Sequence, residues 1–295
     1  MKKHSFLIIA HNNFDILEKL LRLLDDFRND IFVHIDSKVN NFDRDYFGKI
    51  ITKSTLIFTE RIDVQWGGYS LVECKLLLLK SAIRTKEKYS YYHLLSGVDL
   101  PIKSNDYIHN FFNENSGKEF IGYVNDFGDF SRIKYFHLFN EIGRKVDPIS
   151  KIKRYINKLL LLLQKLSKID RISNKKFLRG ANWFSISNNL VSFILESEPA
   201  LKRLYAYTIL SDECFLQTLV YNSEFYDKVF KRNEHDTGHM RLIDWKRGNP
   251  YIYQKKDYAE LMQSEMLFAR KFDARIDADI IDAVYYKIMS MNKSD

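Results

Sequence analysis

An α/β fold is what the first hundred residues predict, on three observations. Short, continuously apolar runs alternate with segments whose apolar residues recur at helical spacing. Turn residues separate the two kinds of segment, and two of the runs end on an acid. Continuous apolar strands, rather than alternating ones, belong to a parallel sheet covered by helices on both faces.

Residues 5–11 read as the first strand and 14–28 as an amphipathic helix with apolar positions at 14, 17, 20, 21, 24 and 27. Residues 31–36, IFVHID, form a second strand that ends on Asp36, and 56–59 a third. The turn-rich VQWGGYS and a helix over residues 70–86 follow. Then comes SYYHLLSGVDLPIKS at 90–104, a buried strand over 91–95 running into a turn that delivers Asp99 and is stopped by Pro101. Ligands of open parallel sheets bind beyond the carboxyl ends of the strands, so Asp99 is a site candidate; a cap for the helix starting near Ser104 is the other role open to it. This pattern makes residues 1–104 a Rossmann-like, nucleotide-binding half.

The second half adds a strand at 120–124, an acid-bearing loop at 125–131 and the aromatic-basic run RIKYFHLFN. Residues 149–169 stand out. Apolar residues fall at 149, 152, 156, 159, 160, 163, 166 and 169, while Lys151, Lys153, Arg154, Lys158, Lys165 and Lys168 occupy other positions with no acid before Asp170. Such a helix can lie in a membrane interface or pack on its own domain; the apolar run 159–163 is wider than one core face needs. A strand at 183–187 follows, then Ser211-Asp212-Glu213 opening a helix, with Ser211 or Asp212 as N-cap and the helix dipole favouring ionised Glu213. A helix over 278–289 closes the chain. Without repeats, low-complexity tracts or Gly/Ser linkers, residues 1–295 read as one domain with a mixed central sheet.

Composition sets the limits. The 295 residues, 45 % hydrophobic and 15 % aromatic, fit a folded protein and exclude a disordered one. Two cysteines, both in helical segments, suit a reducing compartment. The apolar run near the N-terminus is too short for a signal peptide or a membrane span, so a cytoplasmic location is expected. A net charge of +8 favours an anionic partner: nucleotide, lipid head group or nucleic acid.

Neither GxGxxG nor GxxxxGK[ST] occurs, which argues against dehydrogenases and P-loop NTPases. His235 and His239 lie four apart without an evident third ligand. Asp43/Asp45 and Asp277/Asp279 have the DxD form that binds a divalent cation with a sugar nucleotide, but neither follows a buried strand. No metal and no cofactor is therefore expected.

Seven segments carry a resemblance: HIDSK at 34–38, VQWGGYSLVE at 64–73, YYHLLSGVDLPIKS at 91–104, GANWFSIS at 180–187, SDECFLQTLV at 211–220, RLIDW at 241–245 and LFARKFD at 267–273. In this order they resemble the core-2/I-branching enzymes, which comprise β-1,6-N-acetylglucosaminyltransferases and peptide O-xylosyltransferases. The resemblance implies a GT-A-type fold, a UDP-sugar donor and metal-independent, inverting transfer to a saccharide hydroxyl. GlcNAc is the first donor sugar it suggests, with xylose or another hexose open. It implies Glu213 as general base, and Arg270 and Lys271 against the leaving diphosphate, with Arg241 a looser match that is not separable from Arg247. His11, Asp36 and Trp66 would attend the nucleotide. Asp99 would line the cleft between donor and acceptor, with Trp183 and Trp245 as stacking platforms or core residues. The chain departs from the animal members in lacking their N-terminal anchor and set of cysteines. It is thus expected to be a bacterial, cytoplasmic relative in surface-glycan synthesis, acting on a saccharide or lipid-linked acceptor at the inner membrane face, with residues 149–169 touching anionic lipid. The alternative is a non-catalytic basic module for membrane surfaces or nucleic acid, a partner the transferase reading excludes.

Overall fold

The computed structural model describes residues 2–124, 130–143, 145–172, 176–232 and 237–294. The first half runs β1 (His4–Ala10), α1 (Phe14–Leu24), β2 (Asn29–Ile35), α2 (Arg44–Lys49), β3 (Thr55–Phe58), α3 (Ser70–Arg84), β4 (Tyr91–Ser96), β5 (Leu100–Pro101) and α4 (Asn105–Glu114). After it come β6 (Phe120–Ile121), α5 (Ser131–Lys134), α6 (Pro148–Leu166), β7 (Phe184–Ser187), α7 (Asn188–Glu196), α8 (Glu198–Tyr205) and α9 (Phe215–Tyr221). The chain ends with β8 (Arg241–Ile243), α10 (Tyr258–Gln263), β9 (Phe268–Arg270) and α11 (Ala278–Ser294).

Six strands form one sheet in the order β3-β2-β1-β4-β7-β6. The pairs from β3 to β4 are parallel, and β7 then joins β4 antiparallel, with Tyr92 opposite Ile186. This is the mixed central sheet and the α/β architecture the sequence predicts. A smaller sheet, β5-β9-β8, was not legible from periodicity, because its strands are only two or three residues long.

Strands β1, β2 and β4 are almost wholly buried because both faces are covered. One layer packs Leu17, Leu20 and Leu24 of α1 with Ile281 and Val284 of α11 against Phe6, Ile8 and Val33. The other packs Val72, Leu76 and Leu79 of α3 with Leu190 of α7 and Phe215 of α9 against Leu7, Phe32 and Leu94. At the end of β4, Gly97 is required by close approach. A Cβ there would stand 2.8 Å from that of Ala10, and the Gly97 N–H reaches the Ile9 carbonyl at 2.9 Å.

Three boundaries differ from expectation for local reasons. Helix α1 stops at Leu24 rather than 28, since the Asp25 carboxylate leaves the helical path to accept the Thr52, Lys53 and Ser54 N–H groups at 2.8–2.9 Å. Residues Ser211–Glu213 form a 3₁₀ turn that Leu210 enters with φ of 53°, and neither Ser211 nor Asp212 caps α9 by a side-chain hydrogen bond. The strand expected at 120–124 shortens to Phe120–Ile121. Cys74 and Cys214 are buried and unbridged.

Candidate active site

Strand direction brings the site together. The parallel strands β1, β2 and β4 end on one rim, placing His11, Asp36 and the Asp99 turn side by side. Antiparallel β7 begins on the same rim, so Trp183, just before Phe184, stands beside the end of β4. In the small sheet Leu100 pairs with Ala269 antiparallel, which sets Asp99 opposite Arg270. Ile243 pairs with Arg270 in parallel, so Trp245, two residues on and 52 % exposed, leaves the sheet at that end.

Asp99 differs from its expected place. It does not line an open cleft, being fully buried. Nor does it cap α4, where Ser104 accepts from the Tyr107 N–H at 3.3 Å. Its carboxylate closes its own turn, accepting from the Ser96 N–H at 2.8 Å and hydroxyl at 2.6 Å. Oδ1 also lies 3.6 Å from Arg270 Nη1. The Arg270 guanidinium carbon stands 4.0 Å from the centroid of the Trp183 ring. One planar cation is thus held between a buried carboxylate and an aromatic face, which fixes its orientation. Burial lowers the Arg270 pKa and the Asp99 charge opposes that shift.

Glu213 is half-buried at the end of the 3₁₀ turn, and its carbonyl accepts from the Gly180 N–H at 2.9 Å. Gly180 opens the segment that carries Trp183, so base candidate and stacked arginine share one short support. Desolvation, then the charge of Asp212, pushes the Glu213 carboxyl above its ordinary value, with Arg132 and Arg179 acting the other way. Arg132 Nη1 is 3.0 Å from Glu213 Oε2. Beneath the turn, buried Lys75 donates to Asn182 Oδ1 at 2.8 Å and to the Asp212 carbonyl at 3.3 Å. Burial pulls the Lys75 ammonium down to about 8, opposed first by Asp212.

At the end of β2 Asp36 accepts from the Lys38 N–H at 2.9 Å and ammonium at 2.8 Å, and Lys38 reaches Asp63 and the Val64 carbonyl. Arg61 holds the Ile35, Asp36 and Val39 carbonyls. His11 is lowered by desolvation, opposed by Asp36 and reinforced by Lys271 and Lys38, so these groups share one field. Trp66 is exposed, and its neighbour Gly67 accepts from the Leu210 N–H at 2.7 Å, which ties the WGG loop to the turn carrying Glu213.

Arg241 departs from expectation. It is 2 % exposed, at the start of β8, and donates to Ser185 Oγ at 2.9 Å, to the Leu94 and Phe184 carbonyls at 3.2 and 2.6 Å, and to the His239 carbonyl. A guanidinium buried and engaged in this way does not face the rim, so it is not placed to meet a diphosphate. Arg247 is engaged too, by Asp244, Asp257 and Glu260. The DxD acids serve locally: Asp43 caps α2, while Asp277 and Asp279 bind the Lys255 N–H and ammonium. The His235 half of the histidine pair lies outside the described residues.

Sequence reasoning missed Lys75, Arg132, Lys38 and Arg61. Two of them left a signal: Lys75, three residues after Val72 and four before Leu79, sits on the apolar stripe of α3, and Lys38 stands two residues after Asp36 in HIDSK. Arg132 and Arg61 become visible only when segments distant in sequence meet.

An acid of raised pKa, an oriented arginine and polar side chains at strand ends on one rim are what group-transfer chemistry on an α/β sheet requires. Residues 5–269 match the model of the Core-2/I-Branching enzyme family, and the chain belongs to that family. It is 23 % identical over 288 residues to the xylosyltransferase sqv-6 of Caenorhabditis elegans, covering 89 % of this chain and 33 % of the relative. It is 22 % identical over 310 residues to xylosyltransferase 1 of Homo sapiens, covering 96 % of this chain and 30 % of that protein. The chain thus spans about a third of the length of these curated relatives. The structure of mouse xyloside xylosyltransferase 1 in its apo form superposes with a TM-score of 0.40 and 11 % identity, over 91 % of this chain and 97 % of that one.

Proposed function

We propose that this protein transfers a sugar from a UDP donor to a hydroxyl of a saccharide acceptor, with inversion and without a divalent cation. The observation that carries the reading is the support shared by Glu213 and the Arg270–Trp183 stack through residues 180–183. Glu213 removes the proton of the acceptor hydroxyl as its oxygen forms a bond to the anomeric carbon. The bond from that carbon to the diphosphate oxygen breaks, and UDP leaves with the electron pair. A single displacement of this kind needs one base and inverts the centre. Desolvation and the Asp212 charge raise the Glu213 pKa, which strengthens the carboxylate as a base. Arg270 and Lys271 answer the charge that develops on the leaving diphosphate. Asp36, Lys38 and His11 form the polar end that receives the nucleotide. Because the curated relatives are named xylosyltransferases, UDP-xylose stands beside UDP-N-acetylglucosamine as a donor to test.

The test is turnover and UDP affinity of Glu213→Gln, both measured with EDTA present. The expected result is a loss of about 10²–10⁴-fold in turnover with UDP binding retained. Near-normal turnover would overturn the base assignment. Wild-type activity abolished by EDTA and restored by manganese would overturn the cation-free account.

A further inference from the structure

Helix α6 packs with its polar face inward. Ser150, Asn157 and Gln164 are its buried residues, seven apart and therefore aligned on a helix of about 3.6 residues per turn. Asn157 accepts from the Phe139 N–H at 3.1 Å and donates to the Phe139 carbonyl at 2.8 Å. Gln164 does the same with Phe136, at 2.8 and 2.9 Å. Each carboxamide pairs with a backbone as a neighbouring strand would, and two such pairs fix the rotation of the helix. That rotation presents Ile152, Tyr155, Leu159, Leu162, Leu163 and Leu166 outward, from 49 % exposed at Leu159 to 72 % at Leu166. Lys151, Lys158 and Lys165, again seven apart, run along one edge of the apolar face, and no acid occurs within Pro148–Leu166.

We propose that this face docks on an anionic lipid surface. The helix lies in the plane of the membrane, its leucines in the boundary between head groups and acyl chains and its lysine row against acidic head groups. Charge selects this occupant over a second copy of the chain. An isologous pair would bring two acid-free, lysine-edged helices together on molecules that each carry a net charge of +8, whereas an anionic bilayer complements both features. No helix among the described residues is long and apolar enough to cross a membrane. The segment clamped by α6 follows directly on α5, which carries Arg132, so docking would orient the Glu213 rim relative to the surface. The inference rests on α6 alone and does not depend on the transfer reaction.

The test is co-sedimentation of the full chain with vesicles of phosphatidylcholine alone and of phosphatidylcholine with about one-third phosphatidylserine. Binding is expected only to the anionic vesicles and to weaken with salt. Joint replacement Lys151→Gln, Lys158→Gln and Lys165→Gln should weaken it about a hundredfold. Joint replacement Leu159→Gln and Leu162→Gln should abolish it and leave turnover on a water-soluble acceptor unchanged. In a second measurement Leu159→Cys carries an environment-sensitive fluorophore, which is selective because Cys74 and Cys214 are buried; its emission should shift to the blue only with anionic vesicles. Absence of vesicle binding, or equal binding to neutral vesicles, would overturn the proposal. So would a concentration-dependent dimer that the leucine replacements dissociate, which would make the occupant a second copy.

Discussion

Arg132 Nη1 stands 3.0 Å from Glu213 Oε2, so the proposed base is held by a cation from a segment eighty-one residues away. The pair opposes the desolvation and the Asp212 charge that raise the Glu213 pKa. A base must be ionised, so the acid limb of the kcat/KM profile should fall above the range of an ordinary carboxylate. Arg132→Gln removes a lowering influence and should move that limb to higher pH. Asp212→Asn removes a raising one and should move it lower. The linkage has a definite sign as well. A carboxyl raised in the folded state contributes stability below its unfolded pKa, and this is lost as pH rises through the folded value. A profile that neither variant moves would mean that another group supplies the limb.

Asp99 acts on Arg270 from behind, and its loss should be read in the chemistry. Asp99→Asn retains an acceptor for the Ser96 N–H but withdraws the counter-charge 3.6 Å from the guanidinium. Transfer should fall about 10–100-fold, in kcat more than in KM, since the diphosphate charge grows toward the transition state. Asp99→Ala also leaves the Ser96 N–H and a largely buried arginine without a partner, and should cost about 3–5 kcal/mol of stability by denaturant unfolding. A rise in KM with kcat unchanged would point to substrate binding alone.

Lys75 gives a pH signature at the alkaline end. Its folded pKa is pulled from 10.5 to about 8, so between those values the unfolded chain binds the extra proton. Stability should therefore rise with pH from 8 upward, by at most about 1.4 kcal/mol per pH unit, and be lost again as pH falls through 8. Above pH 9 the buried thiols of Cys74 and Cys214, pushed up by desolvation, act the other way, and above pH 10 buried tyrosines such as Tyr92, pushed up to about 12, join them, so the window lies between 8 and 9. Lys75→Met should flatten the slope of unfolding free energy against pH between 8 and 9. A slope unchanged in that variant would place the titration elsewhere.

The parts of the site legible in the sequence are those that strand direction dictates. Asp36 and Asp99 follow apolar runs, and a parallel sheet delivers such residues to one rim whatever else the chain does. The partner of Asp99 was not legible. That Asp99 faces Arg270 depends on a register between two strands of two and three residues, too short to carry a period. Amphipathicity in 149–169 predicted a helix, and α6 forms, but periodicity cannot say which stripe turns inward. Two carboxamides decided that, against the usual preference for burying leucine. Arg241 shows the opposite failure. In a one-dimensional pattern an arginine beside a site motif reads as a ligand contact, and only burial reveals a structural cation.

That difference can be measured. Arg241 bridges β4, β7 and β8 through the Leu94 and Phe184 carbonyls and Ser185 Oγ, and Ser185 in turn lies 2.7 Å from His93 Nδ1, whose Nε2 is 3.0 Å from His4 Nδ1. Burial lowers the Arg241 pKa to about 9, with Asp99 opposing. Lysine cannot reproduce the planar fork, so Arg241→Lys should strand carbonyls inside the sheet junction and cost about 3–5 kcal/mol, seen as a lower Tm. Protein that remains folded at low temperature should still show the full UDP-induced rise in Tm, because the lost interactions lie beneath the rim. Lys271→Gln should do the reverse, reducing the UDP-induced shift in Tm more than it changes the basal Tm. An Arg241→Lys variant with wild-type Tm and no response to UDP would restore this arginine to the diphosphate.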